Sequence, residues 1–330
     1  MIDLAEGIAY FSVMRRAFLT VVLVACLGWE LTPQTQGEDA ARTLRVMTFN
    51  LWHGGDAGGQ PLSQSAEVIR LARADVIGLQ ETAGHAPGEG KPRPDNGSRL
   101  ASLMGFHYLD QGERRGVLSR HPIIGHSPSR LGVEIRLPDG ETFWLFNVHL
   151  AHAPYQPYQL LGIPYEDGAF LTTAEEAVEA AHAARGGQVG ALIEELRGPL
   201  KSGSIVFLTG DFNEPSHEDW TVRSAAAGMC LMAVNWPATR AVEEAGFKDS
   251  YRVAHPDELR SPGRTWTPIT KENDPKDRHD RIDFVFFGGN GVELLASEVV
   301  GERADRADIV VVPYPSDHRA VVSAFRLVQE

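Results

Sequence analysis

Cysteine is scarce in this chain, and its scarcity limits how the fold can be stabilised. The 330 residues contain two cysteines, Cys26 and Cys230. Cys26 lies in an N-terminal stretch interpreted below as an export leader, so the mature chain keeps at most one free thiol. An intramolecular disulfide framework is therefore excluded. Stability must come from an apolar core, and a chain of this length can bury a large one.

An excess of positive charge is also missing. Lys and Arg number 31 against 44 Asp and Glu, which gives a formal net charge of −13. This balance argues against a non-specific polyanion binder that depends on counterion release, and no long Lys/Arg stripe is present for duplex phosphates. A nuclease is not excluded, because a metal site can neutralise phosphate locally within an acidic protein.

A long apolar run occurs at the N-terminus. Met14-Arg15-Arg16 precedes the apolar stretch 17–28, and a polar segment follows. The stretch is too short to span a bilayer, and a basic start with a polar exit is typical of a secretory leader. We predict an export leader over residues 1–40 that starts at Met14, because acidic residues precede this Met. A buried N-terminal helix or strand is the alternative.

The sequence Leu23-Val24-Ala25-Cys26 resembles a bacterial lipobox, in which the Cys is lipidated after cleavage. Ordinary cleavage near Gly37 or Ala40 stays open as the alternative. Both routes predict an exported protein that is secreted, periplasmic or lipid-anchored at Cys26.

The stretch 204–215, SIVFLTGDFNEP, contains a strand signal followed by polar residues. A short β-branched and aromatic run bounded by Gly is typical of a buried strand. Asp211 and Asn213 are separated by one residue, so in extended backbone their side chains point the same way. A simple turn is the alternative interpretation, because Gly, Asp and Asn all favour turns.

Other apolar segments along the chain end in polar residues in the same way. A strand from Leu44 is predicted to end at Asn50, and a strand over Asp75–Leu79 precedes Glu81. The segment TFWLFNVHL is predicted to return from a hairpin and end at His149. The segment GVLSRHPII, Gly116–Ile124, is also strand-like. Short strands of this kind alternate with helical patterns, which predicts a layered α/β arrangement.

Helices are predicted at Ser63–Ala72, at about Thr173–Leu196, within Trp220–Met232 and from Ala241 to a Gly stop at Gly246. No repeat, composition break or linker divides the chain after the leader. We therefore predict a single domain over residues 41–330, with an insertion at about 151–182 that is rich in Pro, Tyr and Gln.

The polar residues at the predicted strand ends form a set that suits one kind of chemistry. Strand ends that face one way in a layered protein converge on one crevice. Carboxylate, amide and water oxygens bind a hard cation, and imidazoles hydrogen-bond phosphate oxygens. We predict Mg²⁺, with Mn²⁺ or Ca²⁺ as alternatives, and a zinc site is disfavoured by the missing thiols. The set is Asn50, Glu81, His149, Asp211, Asn213, Asp283, Asp317 and His318.

The local motifs and their order resemble the endonuclease/exonuclease/phosphatase superfamily. The matching segments are TFNLW, GLQET, GVLSRHPI, NVHL, GDFNEP, RIDFVF and SDHRAV, between residues 44 and 325. The resemblance implies an α+β fold, a four-layer αββα sandwich in which two packed, mainly antiparallel β-sheets are flanked by helices. It also implies metal-dependent hydrolysis of a phosphoester.

The resemblance further implies a role for each site residue. Asn50, Glu81 and Asp317 would be metal ligands. The predicted catalytic residues have four roles: Asp211 orients or deprotonates the attacking water, Asn213 holds phosphate, His149 and His318 contact phosphate oxygens, and Asp283 fixes the tautomer of His318.

The roles of several neighbouring residues stay open. His152 is either a second ligand or a hydrogen-bonding partner within the insertion. His279, Asp280 and Arg281 are either substrate contacts or, as we prefer, part of a solvated loop. Trp266 is expected to support the site, with substrate contact as a further role.

The substrate is not determined by these motifs, because a shared catalytic core carries variable loops. We predict a phosphodiester or phosphomonoester of a small molecule, a lipid head group or a nucleic acid. An exported endonuclease or exonuclease is one alternative, and a catalytically inactive binding protein of the same fold is another. No protein partner is evident, and we expect a monomer.

Overall fold

The computed structural model of the chain describes residues 43–328. The predicted leader at residues 1–40, with its start at Met14 and its lipobox at Cys26, lies outside the described residues and stays a prediction.

The described part of the chain contains thirteen strands. They are β1 Thr43–Asn50, β2 Val76–Gln80, β3 His107–Gly112, β4 Arg115–Ser119, β5 Ile123–His126, β6 Gly132–Arg136, β7 Thr142–His149, β8 Val206–Asp211, β9 Lys248–Asp249, β10 Asp283–Gly288, β11 Val292–Gly301, β12 Ile309–Val310 and β13 Ala320–Leu327.

Helices connect many of these strands. They are α1 Leu62–Ala72, α2 Asn96–Met104, α3 Gln156–Leu161, α4 Ala174–Lys201, α5 Val222–Ala226, α6 Pro237–Glu244 and α7 Ser250–Ala254, with a 3₁₀ turn at His53–Gly55. Within residues 43–328, no helix combines the length and the apolar character that crossing a membrane requires.

The strands form two sheets that pack face to face. The first has seven strands in the order β12-β11-β13-β1-β2-β4-β3, and the second has six in the order β5-β6-β7-β8-β10-β9. Most neighbours are antiparallel, whereas β1 and β2, β7 and β8, and β11 and β12 run parallel. The predicted pair of mainly antiparallel sheets is therefore confirmed.

Side chains on β1 show how the sequence builds the layers. Leu44 and Val46 enter the apolar cluster between the two sheets, where they share a core with Phe207 of β8. Met47 and Phe49 belong to a second cluster that includes the apolar residues of α1. Successive side chains of a strand point to opposite faces, so one strand contributes to two layers.

The second sheet is covered in the same way. Leu208 and Phe286 point away from the first sheet and pack in one cluster with Leu192 and Leu196 of α4 and Val242 of α6. Helices thus cover both outer faces, and the predicted four-layer αββα sandwich is confirmed.

Some predicted elements have different bounds in the structure. The segment Gly116–Ile124 is divided between β4 and β5, which belong to different sheets. The predicted helix within Trp220–Met232 is limited to α5, and the chain leaves it at Gly228, whose φ is +72°. In contrast, α4 continues through its glycines to Lys201, because a capping box at Thr173 and Glu176 and a buried apolar face stabilise it.

A layer of buried polar side chains joins the two sheets close to the strand ends. Asn147 of β7 donates from Nδ2 to Gln111 Oε1 at 2.8 Å and to the Leu79 carbonyl at 2.9 Å. Its Oδ1 accepts from Gln80 Nε2 at 2.7 Å and from Thr209 Oγ1 at 3.2 Å. These bonds fix the register of one sheet against the other.

Candidate active site

The predicted site residues lie at one edge of the sandwich. Asn50 ends β1, and Glu81 directly follows the parallel neighbour β2. His149 ends β7 and is the register partner of Asp211, the last residue of β8. Asp283 begins β10, which runs antiparallel to β8, so it too lies opposite Asp211. The strand pairing therefore places these side chains together.

Asp211 is at the centre of the group. Its side chain is 1% exposed, and its Oδ2 accepts a hydrogen bond from Asn50 Nδ2 at 3.0 Å. The same oxygen lies 3.6 Å from His149 Nε2 and 3.7 Å from His318 Nε2. Its Oδ1 accepts from the Asn213 backbone N–H at 2.9 Å. One buried carboxylate thus faces two imidazoles and one amide.

Glu81 is held in its position by the loop that follows β1. Its backbone has a φ of +54°, a conformation that is rare for a residue with a side chain. The His53 backbone N–H donates to Glu81 Oε2 at 2.9 Å, and the Gly54 N–H donates to the Glu81 carbonyl at 2.6 Å. Asn50 Nδ2 lies 3.5 Å from Glu81 Oε1, so Asn50 links Glu81 to Asp211.

Asp283 and His318 form a buried pair. His318 Nδ1 lies 2.9 Å from Asp283 Oδ2, and Thr265 Oγ1 accepts from the Asp283 backbone N–H at 3.2 Å. Burial acts to lower the pKa of His318, but the carboxylates of Asp283 and Asp211 outweigh it and raise that pKa well above its ordinary value. This shift favours the protonated form of His318 at neutral pH, and its Nε2 lies 3.7 Å from Asp211 Oδ2.

His149 has the opposite protonation. Burial lowers its pKa, and the positive charges of His318 and Arg114 act in the same direction, although Asp211 and Glu81 oppose them. The site thus contains one neutral and one charged imidazole on the same carboxylate, and the neutral one can donate or accept a proton.

Asp317 adds a carboxylate whose charge is not fully balanced by the protein. Burial raises its pKa to about 6, and Glu81 and Asp211 contribute to the rise. Its Oδ1 is buried without a hydrogen-bond partner, as is Asp283 Oδ1. Unpartnered buried carboxylate oxygens beside further carboxylates fit a divalent cation, which would supply the missing positive charge.

Within residues 43–328, one compact group of potential metal ligands combines Asp211, Asp283 and His318, whose ligand atoms lie within 4.8 Å of one another. This group overlaps the predicted catalytic residues rather than the predicted ligands Asn50, Glu81 and Asp317. Within this group, Asp283 Oδ2 and His318 Nδ1 already lie 2.9 Å from each other.

Asn213 differs from the expectation in its present contacts. Its φ is +47°, and its Nδ2 donates to the Leu150 carbonyl at 3.1 Å. The amide therefore holds the chain after β7, and its predicted role in holding phosphate stays a prediction.

Comparison with known proteins shows the family. The model of the endonuclease/exonuclease/phosphatase family matches residues 47–318, which contain all the site residues described above. The chain belongs to this family. Because the family acts on phosphoester bonds, the protein is a phosphoester hydrolase.

Individual relatives are more distant. An uncharacterized Caenorhabditis elegans protein is 28% identical over 309 residues, which covers 86% of this chain and 92% of that protein. Among solved structures, an endonuclease/exonuclease/phosphatase protein from Beutenbergia cavernae has a TM-score of 0.53 at 22% identity, covering 87% of this chain and 72% of that one. The 3′ phosphatase NExo from Neisseria, bound to a product DNA hairpin, has a TM-score of 0.51 at 16% identity over 85% and 98%. These two structures support the fold.

One group of residues beside the endonuclease/exonuclease/phosphatase site differs from its prediction. His279, Asp280 and Arg281 were expected in a solvated loop, but they are 5%, 4% and 2% exposed. Arg281 is paired with Asp219 and Asp249, and so it fixes the start of β10 and does not contact solvent. Three successive charged or polar residues resemble a surface loop in sequence, and their ion-pair partners are distant in the chain.

Two further residues lie at the site. Trp266 packs its ring on His318 with a centroid separation of 4.8 Å, which agrees with a supporting role. Arg114, in the β3–β4 turn, is not among the predicted site residues, yet its positive charge contributes to the lowered pKa of His149. His152 is exposed, and its ring contacts the Tyr165 ring of the insertion at a centroid separation of 6.4 Å.

Proposed function

We propose that the protein hydrolyses a phosphodiester or phosphomonoester by direct attack of a water molecule that Asp211 orients and deprotonates, with a bound divalent cation, Mg²⁺ first among the candidates. The observation that supports this most is the position of Asp211. Its Oδ2 lies within 3.7 Å of both His149 and His318, so a proton acceptor and two phosphate-oxygen donors share one small space.

The cation would be held by Glu81 and Asp317, with Asn50 beside them. When bound, it would act as a Lewis acid on the phosphoryl oxygens and stabilise negative charge. The unpartnered Asp317 Oδ1 and the raised pKa of this carboxyl support the assignment.

The protein side chains account for the rest of the reaction. The water oxygen bonds to phosphorus as the bond from phosphorus to the leaving oxygen breaks, and the water proton passes to Asp211. The leaving oxygen departs with the electron pair of that bond and takes up a proton from solvent. The charged His318 donates its Nε2–H to a non-bridging oxygen, and Asp283 keeps it charged. Neutral His149 and the exposed cation Arg114 complete an environment that favours an anionic substrate.

The experiment that tests the proposal uses bis(p-nitrophenyl) phosphate with the full chain and Mg²⁺. We expect turnover that EDTA abolishes and that Mg²⁺ restores. Asp211→Asn should lower turnover by about 10²-fold or more, because the amide cannot accept the water proton. Asp139→Asn, on the exposed β6–β7 turn, serves as the matched control and should leave turnover unchanged.

Wild-type inactivity with Mg²⁺, Mn²⁺ and Ca²⁺ would contradict the proposal and favour an inactive binding protein. Activity that survives Asp211→Asn would instead show that another group activates the water. Plasmid DNA, RNA, sphingomyelin, glycerophosphodiesters and inositol phosphates then form the substrate panel, which separates a nuclease from an enzyme of small or lipid phosphoesters.

A further inference from the structure

Aromatic side chains of the segment between β7 and α4 form a continuous row. The rings of Tyr155 and Tyr158 meet edge to face with centroids 5.0 Å apart and planes at 89°. Tyr158 and Tyr165 repeat this contact at 5.5 Å and 81°, and Tyr165 contacts His152 at 6.4 Å and 76°. We call Tyr155, Tyr158, Tyr165 and His152 the aromatic row.

The row is attached to the catalytic side of the molecule. Trp266 packs with Tyr155 and Tyr158 in one apolar cluster, and its ring contacts the ring of His318 at 4.8 Å with the planes tilted by 59°. Tyr155 donates its hydroxyl to Asp280 Oδ2 at 2.9 Å, and Tyr158 donates to Asp277. The row is therefore connected to His318 through Trp266.

Tyr165 is the exposed member of the three tyrosines. It is 37% exposed, whereas Tyr155 and Tyr158 are 5% and 8% exposed. Burial raises the pKa of Tyr165, and the negative charges that add to the rise include Glu166, Glu81, Asp211 and Asp317. A partly exposed ring thus lies at the end of a series of ring contacts that leads through Tyr158 and Trp266 to His318.

We propose that Tyr165 stacks on a nucleobase next to the scissile phosphate, so that the substrates are nucleotide phosphoesters. This inference rests on the proposed function and specifies its substrate class. Every base presents a planar π face, and an aromatic side chain binds such faces with little dependence on sequence. The edge-to-face contacts with Tyr158 and His152 hold the Tyr165 ring in place, which lowers the entropy lost on stacking.

The surroundings of Tyr165 favour a neutral planar group over a lipid surface. Glu166 and Asp167 follow Tyr165 in the chain and are exposed. Two exposed carboxylates repel an anionic membrane surface, and membrane-binding segments instead present Lys and Arg. A base carries no charge at neutral pH, so it can approach the ring while its phosphate lies at the site.

Equilibrium binding tests the proposal without turnover. Isothermal titration with Mg²⁺ in an Asp211→Asn background compares adenosine 5′-monophosphate with ribose 5-phosphate, which keeps the sugar and phosphate but lacks the base. We expect the monophosphate to bind about tenfold or more tightly than ribose 5-phosphate. Adding Tyr165→Ala should reduce this ratio to below about threefold, and Tyr165→Phe should preserve it.

Two further variants separate planar stacking from other effects. Tyr165→Leu keeps an apolar side chain without a π face and should lower the ratio as Ala does. Phe170→Ala removes another exposed aromatic of the same segment, which makes no ring contact within residues 43–328, and should leave the ratio unchanged. Thermal melts confirm that each variant is folded.

The stacking proposal would be overturned if the Asp211→Asn protein bound adenosine 5′-monophosphate and ribose 5-phosphate with nearly equal affinity. It would also be overturned if adding Tyr165→Ala left the ratio of these affinities unchanged. The proposed function fails separately, when the wild-type chain hydrolyses no chromogenic phosphoester. Preferential binding of a dispersed phospholipid over the nucleotide, lost in Tyr165→Ala, would assign the ring to a lipid substrate and would also overturn the proposal.

Discussion

The two site histidines differ in the charge that surrounds them. His318 is paired with Asp283 at 2.9 Å and has a raised pKa, whereas burial lowers the pKa of His149. Both lie near the same oxygen of Asp211. With a charged donor in His318 and a neutral imidazole in His149, the site can stabilise negative charge on the phosphoryl group. Asp211, the proposed base, then does not have to be protonated.

Replacing Asp283 tests the role of this pairing. In Asp283→Asn, the neutral amide no longer stabilises the charge of His318, so we expect kcat to fall by about 10- to 100-fold. The Mg²⁺ concentration for half-maximal activity should change less than about threefold, because Asp283 is not assigned to the cation. Steady-state kinetics over a Mg²⁺ series measure both quantities.

Asp139→Asn is the matched control for that series, because it makes the same chemical change at an exposed turn. A large loss of Mg²⁺ affinity in Asp283→Asn with little change in kcat would mean that Asp283 is a metal ligand. The compact group formed by Asp211, Asp283 and His318 would then be the cation site.

The sequence allowed the positions of these side chains to be predicted but not their contacts. Asn50 and Asp211 are predictable because each ends an apolar strand, and Glu81 because it directly follows one. That Asn50 bridges Glu81 and Asp211 was not predictable, because the bridge depends on the left-handed backbone at Glu81 and on the distance between two sheets.

The segment after β8 connects the site to the outer helices through Glu214. Glu214 Oε1 accepts from the Ala238 backbone N–H at the start of α6 at 2.7 Å, and Oε2 lies 3.7 Å from Arg185 of α4. Burial raises the pKa of Glu214 to about 7, although Arg185 opposes the shift. The two helices are thus packed around a carboxyl group that favours its neutral form.

The raised pKa predicts a pH-dependent stability. Between an ordinary value of 4.5 and the folded value of about 7, the folded chain binds this proton more tightly than the unfolded chain. The contribution of Glu214 to the free energy of unfolding is therefore complete below about pH 4.5 and is lost as pH rises through about 7. Through this group, the free energy of unfolding of wild type should fall by about 1 to 3 kcal/mol between pH 5 and 8. We expect Glu214→Gln not to show this fall.

Urea unfolding of wild type and Glu214→Gln at several pH values measures this difference. Glu175→Gln, on the exposed first turn of α4, is the control and should run parallel to wild type. If Glu214→Gln becomes less stable relative to wild type as pH rises, Glu214 is ionised and its ion pair with Arg185 dominates.

At the level of elements, prediction succeeded where the pattern was local. The Ser63–Ala72 helix and the strand that ends at Asn50 follow from their own periodicity. The division of Gly116–Ile124 between two sheets is not local, because β4 and β5 are both short and only their pairing partners separate them.

On the scale of the whole molecule, the polar layer around Asn147 fixes how the sheets lie against each other. Its partners Gln80 and Gln111 are 67 and 36 residues away in sequence. A buried Asn within the segment TFWLFNVHL gives no sequence signal of such a layer, because its partners are identified only once the two sheets are packed.

Removing this side chain should destabilise the fold. Asn147→Ala leaves Gln80, Gln111 and the Leu79 carbonyl without a partner inside the sandwich, so we expect a loss of about 2 to 4 kcal/mol in the free energy of unfolding. Thr142→Ala, at the exposed start of the same strand, is the control and should cost less than about 1 kcal/mol. A loss in Asn147→Ala as small as the control's would show that the layer does not hold the sheets together.

The central claim is direct attack by water at phosphorus, and the stereochemistry of the reaction tests it most directly. A single diastereomer of the p-nitrophenyl ester of thymidine 5′-phosphorothioate is hydrolysed in ¹⁸O-labelled water with Mg²⁺, and the configuration of the labelled product is determined. One in-line attack by water predicts inversion at phosphorus with the label in the phosphorothioate. Retention would contradict the account, because it requires two displacements and hence a nucleophile of the protein itself.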